Sequence, residues 1–185
     1  MKVLMLSTDA NILKEGSLAQ ERMIEYGPLV EELHIVIKVP SQRLVRLWRK
    51  SSQPEDRKVQ NFNNVFLYPV NSGNRLLYFF RAYNAGKKIL SGGGQWLITS
   101  QDPFENGLMG YWLKKKFKFP LQLHIHTDFF SPFFVRESVL NKIRVRLAKY
   151  LLPKADGVRV VSQRIWQALE VSGIKLKARS RQVEK

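Results

Sequence analysis

Short apolar runs alternate with segments of helical period along the chain. Residues 2–7 are mostly apolar, as in a parallel strand buried on both faces. Residues 8–16 read as a loop. Ser17, followed by Gln20, forms a capping-box pattern and opens a helix from Leu18 to about Tyr26. Gly27-Pro28 breaks it, and 29–32 reads as a second short piece. A strand over 33–39 is stopped by Pro40. Residues 51–64 are polar and read as loop. Residues 65–70 form a third strand, in which Pro69 implies an edge position or an early end. Residues 73–90 are helical, with Leu76, Leu77, Phe80, Tyr83 and Asn84 along one side. Ser91-Gly92-Gly93-Gly94 leaves a helix and enters a strand (95–99), the reverse of a phosphate-cradling loop, so it reads as an αβ connection with a glycine C-cap.

Asp102-Pro103 signals the next helix, which continues through 108–116. The strand 121–125 follows Pro120. A helix after Phe134 carries Leu140, Ile143, Leu147 and Leu151 at three- and four-residue steps, with Lys142, Arg144, Arg146 and Lys149 on the other face. Pro153 ends it. A sixth strand spans 157–161, and Ser162 caps a helix to about Val171 that Gly173 closes. Residues 174–185 read as a basic tail or the start of an interdomain linker. This alternation predicts an α/β fold: a doubly wound, mainly parallel sheet with helices on both faces.

Composition changes the picture in one respect. The chain of 185 residues has a net charge of +16 and no cysteine. Disulfides, thiolate catalysis and Cys-based zinc sites are excluded. The charge points to an anionic partner: nucleic acid, an acidic membrane surface or phosphorylated small molecules. Part of it lies in 41–50, where Leu44, Val45, Leu47 and Trp48 alternate with Arg43, Arg46, Arg49 and Lys50. That segment suits contact with an anionic membrane or other anion through Arg43, Arg46, Trp48, Arg49 and Lys50, or packing of its apolar face on its own domain.

The chemistry concentrates where the fifth strand ends, in His124-Ile125-His126-Thr127-Asp128. Ligands of open α/β sheets gather at the carboxyl ends of strands. The spelling H-x-H-x-D also occurs in dinuclear metallohydrolases, and residues two apart on a strand share a face. That site type needs further histidines, and the chain's remaining one, His34, starts a strand remote in sequence. No metal site is expected. Asp102, leaving the neighbouring strand, suits either a helix cap or a pocket wall.

The run Ile98-Thr99-Ser100-Gln101-Asp102-Pro103-Phe104-Glu105-Asn106-Gly107, then Leu123-His124-Ile125-His126-Thr127-Asp128, then Ala155-Asp156-Gly157-Val158-Arg159-Val160-Val161-Ser162, resembles the N-terminal domain of retaining GT-B glycosyltransferases of family 4. The resemblance covers nearly the whole chain. It implies a Rossmann-like domain over 1–173 that binds the acceptor, and a second domain, absent from this sequence, that binds the nucleotide-sugar co-substrate. It implies His126 as the catalytic residue contacting the transferred sugar. By the same resemblance, Gly16, Ser17, Gln101, Asp102, Glu105, Thr127 and Asp128 are the expected substrate-binding positions. It implies no cofactor, a sugar or lipid-linked acceptor, a C-terminal domain or partner subunit supplying the donor site, and a cytoplasmic protein, peripheral at the inner face of the membrane. The domain alone is expected to be inactive. A basic nucleic-acid-binding module is the alternative, though no nucleic-acid motif is present and the basic residues are scattered; an HxHxD metallohydrolase is the second.

Overall fold

The computed structural model describes residues 1–39, 60–71, 74–177 and 181–182. They form an α/β fold of parallel strands and intervening helices, in two compact units, Met1–Leu97 and Ile98–Lys185.

In the first unit, β1 (Lys2–Ser7), β2 (Leu33–Val39) and β4 (Val65–Asn71) pair in parallel, with Met5 opposite Ile35 and Ile35 opposite Leu67. Five of the six β1 residues are buried, which is why the strand carries no alternation. Val3, Met5, Ile35, Ile37 and Leu67 form the core together with Met23 of helix α1 (Leu18–Tyr26). The cap of α1 follows the sequence pattern in part. Ser17 Oγ accepts from the Gln20 amide at 3.2 Å, but Gln20 Oε1 reaches back to the Gly16 amide, not to that of Ser17.

Three expectations are corrected here. Residues 51–64 are not all loop, because β3 (Gln60–Phe62) pairs antiparallel with β4. Asn63-Asn64 is the two-residue hairpin turn between them, and Asn63 takes φ 56, a left-handed conformation that asparagine tolerates. Pro69 does not end β4. The ladder with β3 stops at Leu67, so among the described residues the proline lacks a partner strand only on that side. Helix α2 (Arg75–Leu90) turns inward the stripe Tyr78, Ala82 and Leu90, while Leu76, Leu77 and Phe80 are exposed. Ala82 and Gly86 are buried, and the helix packs on β2 and β4. The αβ connection expected after α2 is present, but its cap is not the glycine expected: Ser91 takes the cap position, and Gly93 and Gly94 follow at positive φ.

His34 is structural. Its Nδ1 bonds Tyr68 Oη and its Nε2 bonds Glu32 Oε2, both at 2.8 Å, and Glu32 Oε1 accepts from Lys2 Nζ. The ring stacks on Phe66. Burial lowers its pKa against the opposing pull of Glu32.

The second unit has β5 (Trp96–Ser100), β6 (Leu121–Ile125), β7 (Gly157–Val160) and β8 (Arg181–Gln182) in parallel order, paired from Ile98 onward. The tail expected to be free thus adds a strand beside Arg159 and Val160. Helix α3 (Glu105–Phe117) comes close to the sheet at Gly107, where a Cβ would stand 3.4 Å from Leu123 and 3.3 Å from Leu151. Leu151 belongs to α5 (Val139–Leu151), which Ser138 caps and which follows the short α4 (Pro132–Glu137). Ile143 was expected inside but is 54% exposed. Asn141 takes the inner position, bonded to Phe134 O and to Glu137 Oε2. Asp156, of the Ala-Asp pair, accepts from the Leu121 amide and from Lys114 Nζ, pinning the start of β6. Ser162 caps α6 (Gln163–Val171) as expected.

One turn offers a test of packing. Asn64 Nδ2 donates to the carbonyls of Gly27, Val30 and Glu31, and a Cβ at Gly27 would lie 2.6 Å from Asn64 Oδ1 and 2.9 Å from Val65 Cγ2. Gly27→Ala should therefore destabilise the chain by roughly 1–3 kcal/mol. Urea unfolding should show a lower midpoint at unchanged slope, and an unaltered midpoint would contradict the packing described.

Candidate active site

The second unit places Gln101, Asp102, Glu105, His126, Thr127 and Asp128 on the segments that leave the carboxyl ends of β5 and β6. Gly16 and Ser17 belong to the first unit. Arg43, Arg46, Trp48, Arg49 and Lys50 lie outside the described residues.

Asp102 is committed to its own turn. Its Oδ1 accepts from the amides of Phe104 (2.9 Å) and Asn106 (3.3 Å), and its Oδ2 from Asn106 Nδ2 (2.7 Å). Its carbonyl accepts from Ser100 Oγ at 2.6 Å. The carboxylate therefore does the capping work for α3, two residues ahead of Phe104, which itself makes no side-chain cap. Burial pushes its pKa up to about 6, and Glu105 adds to the rise.

Glu105 is likewise engaged. Arg144 grips it with Nε at 3.1 and 3.2 Å and Nη2 at 2.8 Å, a forked pair joining α3 to α5. The Arg144 guanidinium also lies 5.6 Å from the centre of the Phe104 ring. Phe104 in turn meets Phe129, which is fully buried, and Phe134. This aromatic cluster anchors the loop after β6. Asp128 Oδ2 accepts from the exposed Arg164 at 3.3 Å, while its Oδ1 is buried with no hydrogen-bond partner among the described residues.

His126 and Thr127 remain open. Both are exposed, and no described residue bonds the His126 ring nitrogens. The His124 ring is buried, 6.0 Å centre to centre from His126, and its Nε2 bonds Gln122 Oε1 at 3.0 Å. Burial, then Arg159, then His126 push the His124 pKa down to about 3. Burial and then Arg159 lower that of His126 too. Both rings are thus neutral at pH 7 and can donate one hydrogen bond and accept one. Among the described residues no group of three or more His, Asp or Glu side chains is placed to hold a metal ion.

Arg159 is the site residue that sequence reasoning passed over. It lies on β7 in register with His124. The available signal was an arginine within an otherwise apolar strand, beside a strand carrying two histidines. In the first unit, the Ser17 hydroxyl donates to Asn11 O at 2.6 Å while accepting from the Gln20 amide, and Gly16 sits at φ 67.

No family model and no curated protein matches the chain. Solved structures do. Sucrose-phosphate synthase from Thermosynechococcus elongatus superposes with a TM-score of 0.65 at 14% identity, over 99% of this chain and 48% of that one. Anabaena Alr3699/HepE, solved with UDP and glucose, gives 0.61 at 13% identity, over 99% and 44%. UDP-GlcNAc 2-epimerase from Methanocaldococcus jannaschii gives 0.54 at 15% identity, over 95% and 43%. The fold is the Rossmann-like one of GT-B proteins, and the chain spans less than half the length of these structures.

Two measurements probe the electrostatics. Replacing Arg159 by Gln removes a cause that lowers both histidine pKa values, so NMR titration of the ring protons should show His124 and His126 titrating at higher pH than in the parent. An unmoved His126 would place Arg159 away from the ring. For Asp102, the folded pKa of about 6 lies above the ordinary 3.8. Its contribution to stability is full below pH 3.8 and is lost as pH rises through 6. Asp102→Ala should cost about 1–2 kcal/mol, as for a lost cap. The gap between parent and variant should narrow on going from acid to neutral pH, as read by urea midpoints at each pH.

Proposed function

We propose that this chain is the acceptor-binding N-terminal domain of a retaining glycosyltransferase of the family 4 type, using a nucleotide-sugar as co-substrate and no cofactor. The observation that carries this reading is the exposed, neutral ring of His126 at the carboxyl end of β6, on a fold shared with enzymes of UDP-sugar chemistry. A neutral imidazole there can bond a sugar hydroxyl without bringing a charge of its own, and the Thr127 hydroxyl beside it offers a second contact. Asp102 and Glu105, spent on α3 and α5, hold the wall of the site in place. Gln101 and Asp128 complete the strand-end surface.

The donor-binding half comes from a C-terminal domain or a partner subunit beyond residues 1–173, and this chain alone does not turn over. Gly16 and Ser17 face the donor phosphates in the assembled enzyme. Arg43, Arg46, Trp48, Arg49 and Lys50 give the contact with an anionic membrane, which suits a lipid-linked acceptor at its inner face. No described helix is long and apolar enough to cross a membrane.

The test is made on the protein isolated from its source. A polypeptide of about twice 21.6 kDa, or a two-subunit complex, should transfer sugar from a nucleotide-sugar with retention of anomeric configuration, read by proton NMR of the product. His126→Ala should lower kcat about 10²-fold or more while the protein stays folded. Absence of transfer from every common nucleotide-sugar, or full activity in His126→Ala, would overturn the proposal.

A further inference from the structure

We infer that Arg159 and His126 together form a binding corner for a phosphate group of the ligand. The inference deepens the reading above, and rests on it only in that a ligand meets His126.

Arg159 stands where a parallel sheet seldom holds a charge. Strands flanked on both sides in a parallel sheet are normally apolar. β7 is flanked by β6 and β8, and Val158 and Val160 on either side of Arg159 are buried. The arginine is half-buried in mid-strand. Its register partner is His124, and His126 follows just past the end of β6 with its ring 6.0 Å from that of His124. Other cations of this unit are paired with acids: Arg144 with Glu105, Arg164 with Asp128, and Lys114 with Asp156. Arg159 has no hydrogen bond or ion pair among the described residues. A partly desolvated guanidinium without a counter-ion is costly, and an anionic ligand offsets that cost.

The chemistry of the donors selects the anion. A guanidinium offers a planar fork suited to two oxygens of one phosphate or carboxylate. The neutral His126 ring offers one more N–H. Three N–H donors match the three free oxygens of a phosphate group better than the two of a carboxylate. The Asp128 carboxylate, which would repel it, already carries Arg164.

The probe is sodium phosphate added to the intact chain at constant ionic strength, followed by the His126 ring signals in NMR. A saturable shift that chloride does not produce is expected. Arg159→Gln should weaken it about tenfold or more, as for a lost charge-assisted contact. Arg159→Lys keeps the charge without the fork, and should retain part of the affinity. Arg146→Gln, on the exposed side of α5, should change nothing. Glucose 1-phosphate binding more tightly than UDP would assign the corner to a phosphorylated sugar or acceptor, and the reverse order to the donor diphosphate. A linear, unsaturable shift, or an unchanged one in folded Arg159→Gln, would overturn the inference. Should neutral methyl glucosides shift His126 while phosphate does not, the glycosyltransferase reading survives and the phosphate corner falls. Phosphate binding without transfer activity in the native protein is the opposite case.

Discussion

Strand β6 carries Gln122 and His124 on one face, with His126 just past its end, and the cost of removing the first two from water is the constraint its surroundings answer to. The opposite face is ordinary: Leu121, Leu123 and Ile125 are fully buried, against Leu151 and the close approach of Gly107. On the polar face each group is handled differently. Gln122 Oε1 accepts a hydrogen bond from His124 Nε2, the His124 ring gives up its charge, and His126 emerges just past the strand end. A strand interior can hold two imidazoles only if at least one is neutral and bonded.

The acids near the strand ends serve the scaffold. Asp102 closes the β5–α3 turn, Glu105 is locked to Arg144, and Asp156 fixes the start of β6. Such use makes the loop after β5 stiff, because each carboxylate bridges two elements or closes a turn. Among the described residues at these strand ends, an imidazole, a hydroxyl and an arginine make no side-chain hydrogen bond and are available for chemistry. Position is the main thing this arrangement supplies, since His126 is carried on a strand end tied on both sides by parallel ladders.

The sequence showed the strands and most caps because those signals are local. Ser17 and Ser162 begin helices as their patterns say, and the buried strands are unbroken apolar runs. The strand end at His126 was legible from the same signals. Features set by partners distant in sequence were not. Ile143 and Asn141 exchange places because Asn141 finds a carbonyl and a carboxylate on α4, which periodicity alone does not reveal. The outward turn of Leu76, Leu77 and Phe80 depends on which face of α2 is narrow enough to approach the sheet. Arg159 went unnoticed because its meaning lies in register with His124, a relation between strands that a linear reading does not contain.

Asp102 and His124 have a joint consequence for acid tolerance. The folded chain resists protonating His124, whose pKa falls from 6.5 to about 3, so acidification below 6.5 favours unfolding through that residue. It welcomes a proton on Asp102, whose pKa rises from 3.8 to about 6, so acidification between those values favours the folded form. The two responses have opposite sign over nearly the same range. The unit acts as a counterweighted balance, in which the acid load of a buried imidazole on one strand is opposed by a buried carboxyl beside the next. Removing either alone would tilt the pH response of the whole unit.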